Sequence, residues 1–224
     1  VSGRLAPAPV PSHRLVPSRF PPIGLFDTVA TAADMQAVME LAGWTNDRLV
    51  QGRIQRLPPD QWVHGRPNSS IVMAAFLHAP PMGGRFNGPD LGAWYAAAAL
   101  PTAAAEVAHH LRREAVATGL PSLSRAYRAY TAELAGGYLD LRGQRQARPE
   151  IYAPGSHAAS QPFGEEVRAS GTDGILYDSL RHAGGTNVVA YRPAKILAVT
   201  QADHWKVTVE AASRRIRLHR LSRG

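Results

Sequence analysis

Four polar residues stand where chemistry could be assembled. Arg85 lies in the turn Gly83-Gly84-Arg85-Phe86-Asn87-Gly88, Tyr95 follows ten residues later, Glu106 eleven after that, and Ser179 ends a later glycine-flanked run, Gly171-Thr172-Asp173-Gly174-Ile175-Leu176-Tyr177-Asp178-Ser179. Arginine supplies a planar, permanently charged fork suited to phosphate oxygens, and a carboxylate stabilises a developing cation. An aromatic face attracts a cationic ring, and a serine hydroxyl can fix a carboxylate's rotamer. Together these groups could hold an anionic ligand and stabilise positive charge that develops on it. Each residue also has an ordinary role open to it. Arg85 can pair with an acid near its turn, Tyr95 can pack in a sheet, Glu106 can favour a helix N-terminus, and Ser179 can cap a strand end.

The local pattern predicts the elements that hold these groups. The double glycine marks a turn, and Trp94 to Ala97 reads as a short strand. Thr102 is the expected cap of a helix whose buried stripe is Ala104, Val107, Ala108, Leu111 and Ala115, with Glu106, His109, His110 and Arg113 on or beside the other face. An earlier helix is expected from Thr31, with Asp34 three residues on, through Met35, Val38, Met39 and Ala42 to a stop at Gly43. Ile71 to His78 reads as β-like. Strands are expected at Arg125–Thr131, Tyr138–Leu141, Ile175–Tyr177, Val188–Tyr191, Ile196–Thr200 and over the alternation Trp205, Val207, Val209, with a helix about Ala158–Ala169. The order is mixed, so the expected class is α+β with a largely antiparallel sheet and flanking helices.

Composition narrows the function. The 224 residues are 45% hydrophobic and 19% charged, a balance that favours a folded domain over disorder. No cysteine is present, which removes disulfides, thiolate nucleophiles and cysteine-ligated metals together. No run is long and apolar enough for a membrane span, and the expected location is cytoplasmic. The net charge of +8 is concentrated at the ends: Arg4, Arg14 and Arg19 precede the first acid, Asp27, and Arg214, Arg215, Arg217, Arg220 and Arg223 follow the last, Glu210. The body between is formally neutral, so a built-in nucleic-acid groove is not indicated. Six prolines among the first 22 residues predict an extended arm over residues 1–17, a globular body over 18–212 and a basic tail over 213–224. The dinucleotide-binding, P-loop, zinc-protease and nucleophile-elbow signatures are absent. Glu106 with His109 or His110 has helical metal-pair spacing but no evident third ligand, so no metal is assigned. The adjacent Ser156-His157 suggests a turn.

The GGRFN turn, the Trp94-Tyr95-Ala96 strand, the Thr102 to Glu106 helix and the run ending at Ser179, followed by Gly184-Gly185-Thr186-Asn187, occur in an order that resembles the RES-domain family, named for an Arg, a Glu and a Ser. The resemblance runs from Ser18-Arg19-Phe20-Pro21-Pro22-Ile23 to Tyr191-Arg192-Pro193 and is similar to the family's longer subgroup. It implies a compact domain similar to ADP-ribosyltransferases, acting as the toxin of a bacterial toxin–antitoxin pair that consumes NAD. By that resemblance Arg85, Glu106 and Ser179 take the three named positions, Tyr95 the aromatic one, and Arg19 with Phe20 the early Arg-aromatic pair, for which Arg53-Ile54 competes. Phe20 stands where tyrosine is frequent, and Asp178 where proline commonly precedes the serine. NAD is the implied substrate and a cognate antitoxin the implied partner. The acceptor is open among water, phosphate and a protein side chain. Two other readings compete: a non-enzymatic protein using its Arg-rich termini on nucleic acid or an acidic partner, and a metal-dependent hydrolase using Glu106 and the paired histidines.

Overall fold

The computed structural model describes residues 3–20, 24–31, 33–38 and 52–222. The chain is α+β, and its described residues are built on one nine-stranded sheet. In chain order the strands are β1 (Leu5–Ala6), β2 (Ser12–Pro17), β3 (Trp94–Ala97), β4 (Ser122–Leu134), β5 (Tyr138–Asp140), β6 (Gly174–Asp178), β7 (Thr186–Ala190), β8 (Ile196–Glu210) and β9 (Ile216–Ser222). Their spatial order is β1-β5-β6-β7-β3-β2-β4-β8-β9, and only the β5–β6 pair is parallel. Three helices have both ends described: α1 (Ser69–Leu77), α2 (Leu100–Ala117) and α3 (Ser160–Ala169).

Strand alternation divides the core between the two faces of the sheet. On one face Trp94, Tyr130, Leu176 and Val188 pack with Val72, Met73 and Phe76 of α1. On the other, Leu15, Ala97, Tyr127, Ala129 and Val207 meet Ala104, Ala108 and Leu111 of α2, while Ile175, Tyr177, Val189 and Tyr191 pack with Phe86 and with Val167 of α3. The small alanines of α2 let the helix lie close to the strands, which keeps its polar flank beside the ends of β6 and β7.

Three expectations change. Residues 71–77 are helical, not extended, and Ser69, Ser70, Val72, Met73, Phe76 and Leu77 are all buried. A short run apolar on nearly every side has no periodicity to distinguish strand from helix. Its N-terminus is capped from far away: Asp27 accepts hydrogen bonds from the backbone N–H of Asn68 and Ser70 and from the Ser70 hydroxyl, at 3.0, 2.9 and 2.9 Å. Such caps are worth about 0.5–2 kcal/mol. In α2, Thr102 is not the cap. The helix begins at Leu100 with Pro101 in its first turn, where a missing N–H costs nothing, and Ala99 is the N-cap. The Thr102 hydroxyl instead bonds His182 Nδ1 at 2.9 Å. The proline-rich arm is extended as expected, but both halves are built into the sheet: β1 pairs with β5, and β2 lies between β3 and β4 and pairs with β4 over six residues.

Elsewhere the expected strands fall on β3 to β8, Leu141 and Tyr191 lying one residue past β5 and β7, with the two late runs merged into the single strand β8. Ile216–Ser222 of the basic tail forms the edge strand β9, where Arg217 and Arg220 pair with Glu210 and Asp203 of β8. Thr31 caps its helix through a reciprocal pair with Asp34, accepting from the Asp34 N–H at 3.1 Å and donating to its carboxylate at 2.7 Å. Residues 33–38 are helical with Met35 buried, while Met39, Ala42 and Gly43 lie outside the described residues.

Candidate active site

Sheet order converges three distant segments. Ala97, at the end of β3, pairs with Asn187 of β7, and Asn187 pairs with Tyr177 of β6. The end of β6, the start of β7 and the first turns of α2 therefore meet at one corner of the sheet. The connecting loop 179–185 is closed by hydrogen bonds from Ser179 N–H to Gly185 C=O at 2.8 Å and from Gly185 N–H to His182 C=O at 3.0 Å. Thr102 and His182 fasten it to α2. A Cβ on Gly185 would come within 2.8 Å of the Thr102 side chain, so this close approach needs glycine.

The Glu106 carboxylate lies at that corner, half-buried. Its Oε1 accepts from Ser179 Oγ and from Asn187 Nδ2, both at 2.6 Å. The direction of the first bond follows from Ser179 itself: its oxygen already accepts the backbone N–H groups of Arg181 and His182 at 3.1 and 3.0 Å, so its own proton is turned toward the carboxylate. Hydrogen bonds to an ionised acceptor are short and about twice as strong as neutral ones. Among the described residues, Oε2 receives no protein hydrogen bond.

The GGRFN turn forms the neighbouring wall. Gly84 N–H donates to Asn87 C=O at 2.9 Å, and Gly83 has φ +69°, a conformation that favours glycine; a Cβ there would also run into the Asn87 carbonyl. The Tyr95 hydroxyl accepts from Phe86 N–H at 2.9 Å and donates to Asn87 Oδ1 at 2.7 Å, so it fastens the turn to β3. Burial holds that phenol well above its ordinary pKa, and it stays neutral. Arg85 has no carboxylate partner among the described residues. Its Nη1 donates to the carbonyls of Ile151 and Ala153, both at 3.1 Å, which ties down the segment before α3. Arg181 reaches the same segment through Pro154 C=O at 3.1 Å. Beside it a cleft of about 360 Å³ is lined by Arg145, Pro149, Tyr152, Pro154 and Leu180.

The charge around Glu106 is predominantly positive. Arg181 and His110 feel its field, and Arg85, Arg113 and Arg181 act in turn on His157. Burial first, then Arg181, His110, Arg113 and Arg112, push the His109 imidazole down to about 4. Its pKa is thus lower in the folded chain than the ordinary value of about 6.5. Unfolding takes up a proton there between about pH 6.5 and 4, and the stability present above that window is lost as pH falls through it. His13 and His157 shift in the same direction, mainly through burial. The melting temperature is expected to fall on acidification from pH 6.5 to 4, and His109→Asn, which cannot titrate, to reduce that slope in calorimetry.

Of the residues expected from sequence, the structure brings Glu106 and Ser179 into contact, sets Arg85 in the adjoining turn, and places Tyr95 on β3 with its hydroxyl bonded to that turn. Arg19 and Phe20 are elsewhere. Arg19 is exposed with its guanidinium 5.0 Å from the Phe20 ring, and acts on Glu114 and Tyr127 toward the far end of α2. Arg53 is a structural tie to the carbonyls of Leu77, Ala79 and Pro89. Pro21, Pro22 and Ile23 lie outside the described residues. The histidines of α2 face each other at 5.5 Å, and among the described residues no three His, Asp or Glu side chains gather as a metal site. Asn187 and Arg181 also lie at this corner and are not among the site residues expected from sequence. The available signal for Asn187 was its parity: in a strand it shares a face with Val189 and Tyr191, both buried.

Residues 53–210 match the RES domain family. The chain belongs to that family. The match covers the GGRFN turn, Glu106 and Ser179, starts after Arg19 and Phe20, and continues through β8 beyond Pro193. Among curated proteins none matches the sequence. Among solved structures, that of the M. tuberculosis MbcT–MbcA toxin–antitoxin complex is similar over 59% of this chain and 74% of its own, at 23% identity and a TM-score of 0.43. In the described part of this RES domain no helix is long and apolar enough to cross a membrane.

Proposed function

We propose that this RES domain is a toxin enzyme that cleaves the nicotinamide–ribosyl bond of NAD at Glu106. The observation that supports this most is the Glu106 carboxylate itself, gripped on one oxygen by Ser179 and Asn187, with no hydrogen bond to the other among the described residues. Departure of neutral nicotinamide leaves an oxocarbenium-like ribose, and a fixed carboxylate stabilises that charge more than it stabilises the ground state. The arginines suit the rest of the substrate. Arg85 would clamp the pyrophosphate with the nitrogens not committed to Ile151 and Ala153, and Tyr95 stands beside it as the aromatic neighbour of the nicotinamide. Ser179 orients the carboxylate and borders the ribose.

The second substrate is water, phosphate or a protein side chain, and the three outcomes are a glycohydrolase, a phosphorylase and an ADP-ribosyltransferase. All share the first bond cleavage. Unchecked NAD consumption would poison the producing cell, so the reading includes a cognate antitoxin protein that covers the cleft. Incubating the protein with NAD, with and without phosphate, and identifying products by mass tests the reading and separates the acceptors. Recovery of intact NAD under every condition removes it.

Arg85→Ala is expected to raise the KM for NAD by about tenfold or more, since a phosphate clamp acts on ground and transition states alike. A turnover loss accompanies it because the 151–153 segment is released. Arg85→Lys keeps the charge without the fork and is expected to recover little of the KM. Steady-state kinetics on both variants, with melting curves as controls, check this.

A further inference from the structure

We propose that Asn187 is a positioning residue for the Glu106 carboxylate, holding Oε1 jointly with Ser179 so that Oε2 alone faces the substrate. The inference rests on Glu106 being the group that meets the ribosyl cation. Its geometry is independent of that reading. Asn187 Nδ2 lies 2.6 Å from Oε1, and the amide orientation is fixed by charge: with the group turned over, two oxygens would oppose each other at that distance. The two donors on Oε1 arrive from different elements, Ser179 from the end of β6 and Asn187 from the start of β7, so neither alone sets the carboxylate plane.

What marks Asn187 as more than a strand residue is its other atom. Among the described residues the side-chain Oδ1 is buried without a hydrogen-bond partner, and the residue is only 3% exposed. A buried orphan acceptor lowers stability, and asparagine is a poor strand former in a run that continues Val188-Val189-Ala190. An apolar side chain would serve the sheet better. The amide is retained at a cost to the fold, and among the described residues the contact that offsets it is with Glu106. This explains the division of labour in the carboxylate: one oxygen satisfied by the protein, the other reserved for chemistry.

Kinetics and melting of two variants test the inference. Asn187→Ala is expected to lower kcat for NAD on the order of 10–100-fold with little change in KM, and to leave the melting temperature unchanged or higher. Asn187→Asp has the same shape but replaces the donor with a charged acceptor. It is expected to lose more activity than Asn187→Ala at pH 8 and to regain part of it as pH falls to where the two carboxylates share a proton. A packing role predicts the reverse order, with Asn187→Asp near wild type and Asn187→Ala melting lower, and that result overturns the proposal. So does Asn187→Ala with wild-type kcat. If the wild-type protein consumes no NAD, the substrate reading fails by itself, and the positioning contact is judged from the Asn187 side-chain amide protons by NMR. A downfield, slowly exchanging proton that moves in Glu106→Ala supports it; a resonance at the solvent-exposed position in the wild type overturns it.

Discussion

Glu106→Gln is expected to turn over NAD about 10²–10³-fold more slowly than wild type while folding normally. The substitution is unusually clean at this site. Among the described residues both protein donors end on Oε1, so the glutamine carbonyl can keep the bonds from Ser179 and Asn187 while its NH₂ replaces the other oxygen. What disappears is the negative charge opposite the developing ribosyl cation. The loss therefore falls on kcat, with KM for NAD nearly unchanged, the pattern of an interaction made mainly in the transition state. Single-turnover measurements of nicotinamide release, together with matched melting curves, check it. Undiminished release from a folded variant would remove the carboxylate from the mechanism and the active site from this corner of the sheet.

Deleting residues 1–17 is expected to abolish cooperative folding. The composition of this segment predicts an extended arm, yet Ser12–Pro17 forms β2, with β4 on one side and β3 on the other. Its removal splits the sheet between β3 and β4, takes Leu15 out of the core beneath α2, and exposes two unpaired edges. The Ser12 hydroxyl bond to Ala132 C=O and the Arg14 bond to Tyr95 C=O go with it. Deleting residues 213–224 removes only the edge strand β9 and is expected to leave a cooperative, lower-melting protein. Circular dichroism melts of the two truncations provide the comparison. The C-terminal truncation also addresses the competing idea of a basic binding protein, since it strips the arginine-rich end while leaving Glu106 and its partners in place.

What could be read from sequence was local. The GGRFN turn announces itself through its glycines, β3 through Trp94 and Tyr95, and α2 through a stripe of alanines and leucine that repeats every three to four residues. The α+β class follows from the order of such signals. What could not be read depended on partners far away in the chain. α1 is capped by Asp27, some forty residues earlier, and its own apolar run carries no helical period. β2 hides behind prolines that signal extension without saying what pairs with it. Asn187 is one polar residue in an apolar run, and its meaning appears only when β7 is laid beside β3. The early Arg-aromatic pair is the opposite case, purely local: Arg19 and Phe20 are adjacent in sequence and meet each other at the surface.

The central place of β2 also governs the order in which this protein can be made. A strand from the first 17 residues must wait for β3 and for β4, which ends at Leu134, before either of its edges is covered. The Glu106 site waits longer, because Ser179 and Asn187 are supplied by the chain near its distal end. Such long-range closures are slow to form, and none of them can begin until the later segment has been synthesised. A ribosome-bound chain that stops short of β7 therefore holds Glu106 without its Asn187 partner, and one that stops before Ser179 lacks both. Translation itself acts as a delay: the carboxylate is synthesised at the middle of the chain but gains its partners only after some eighty more residues have followed.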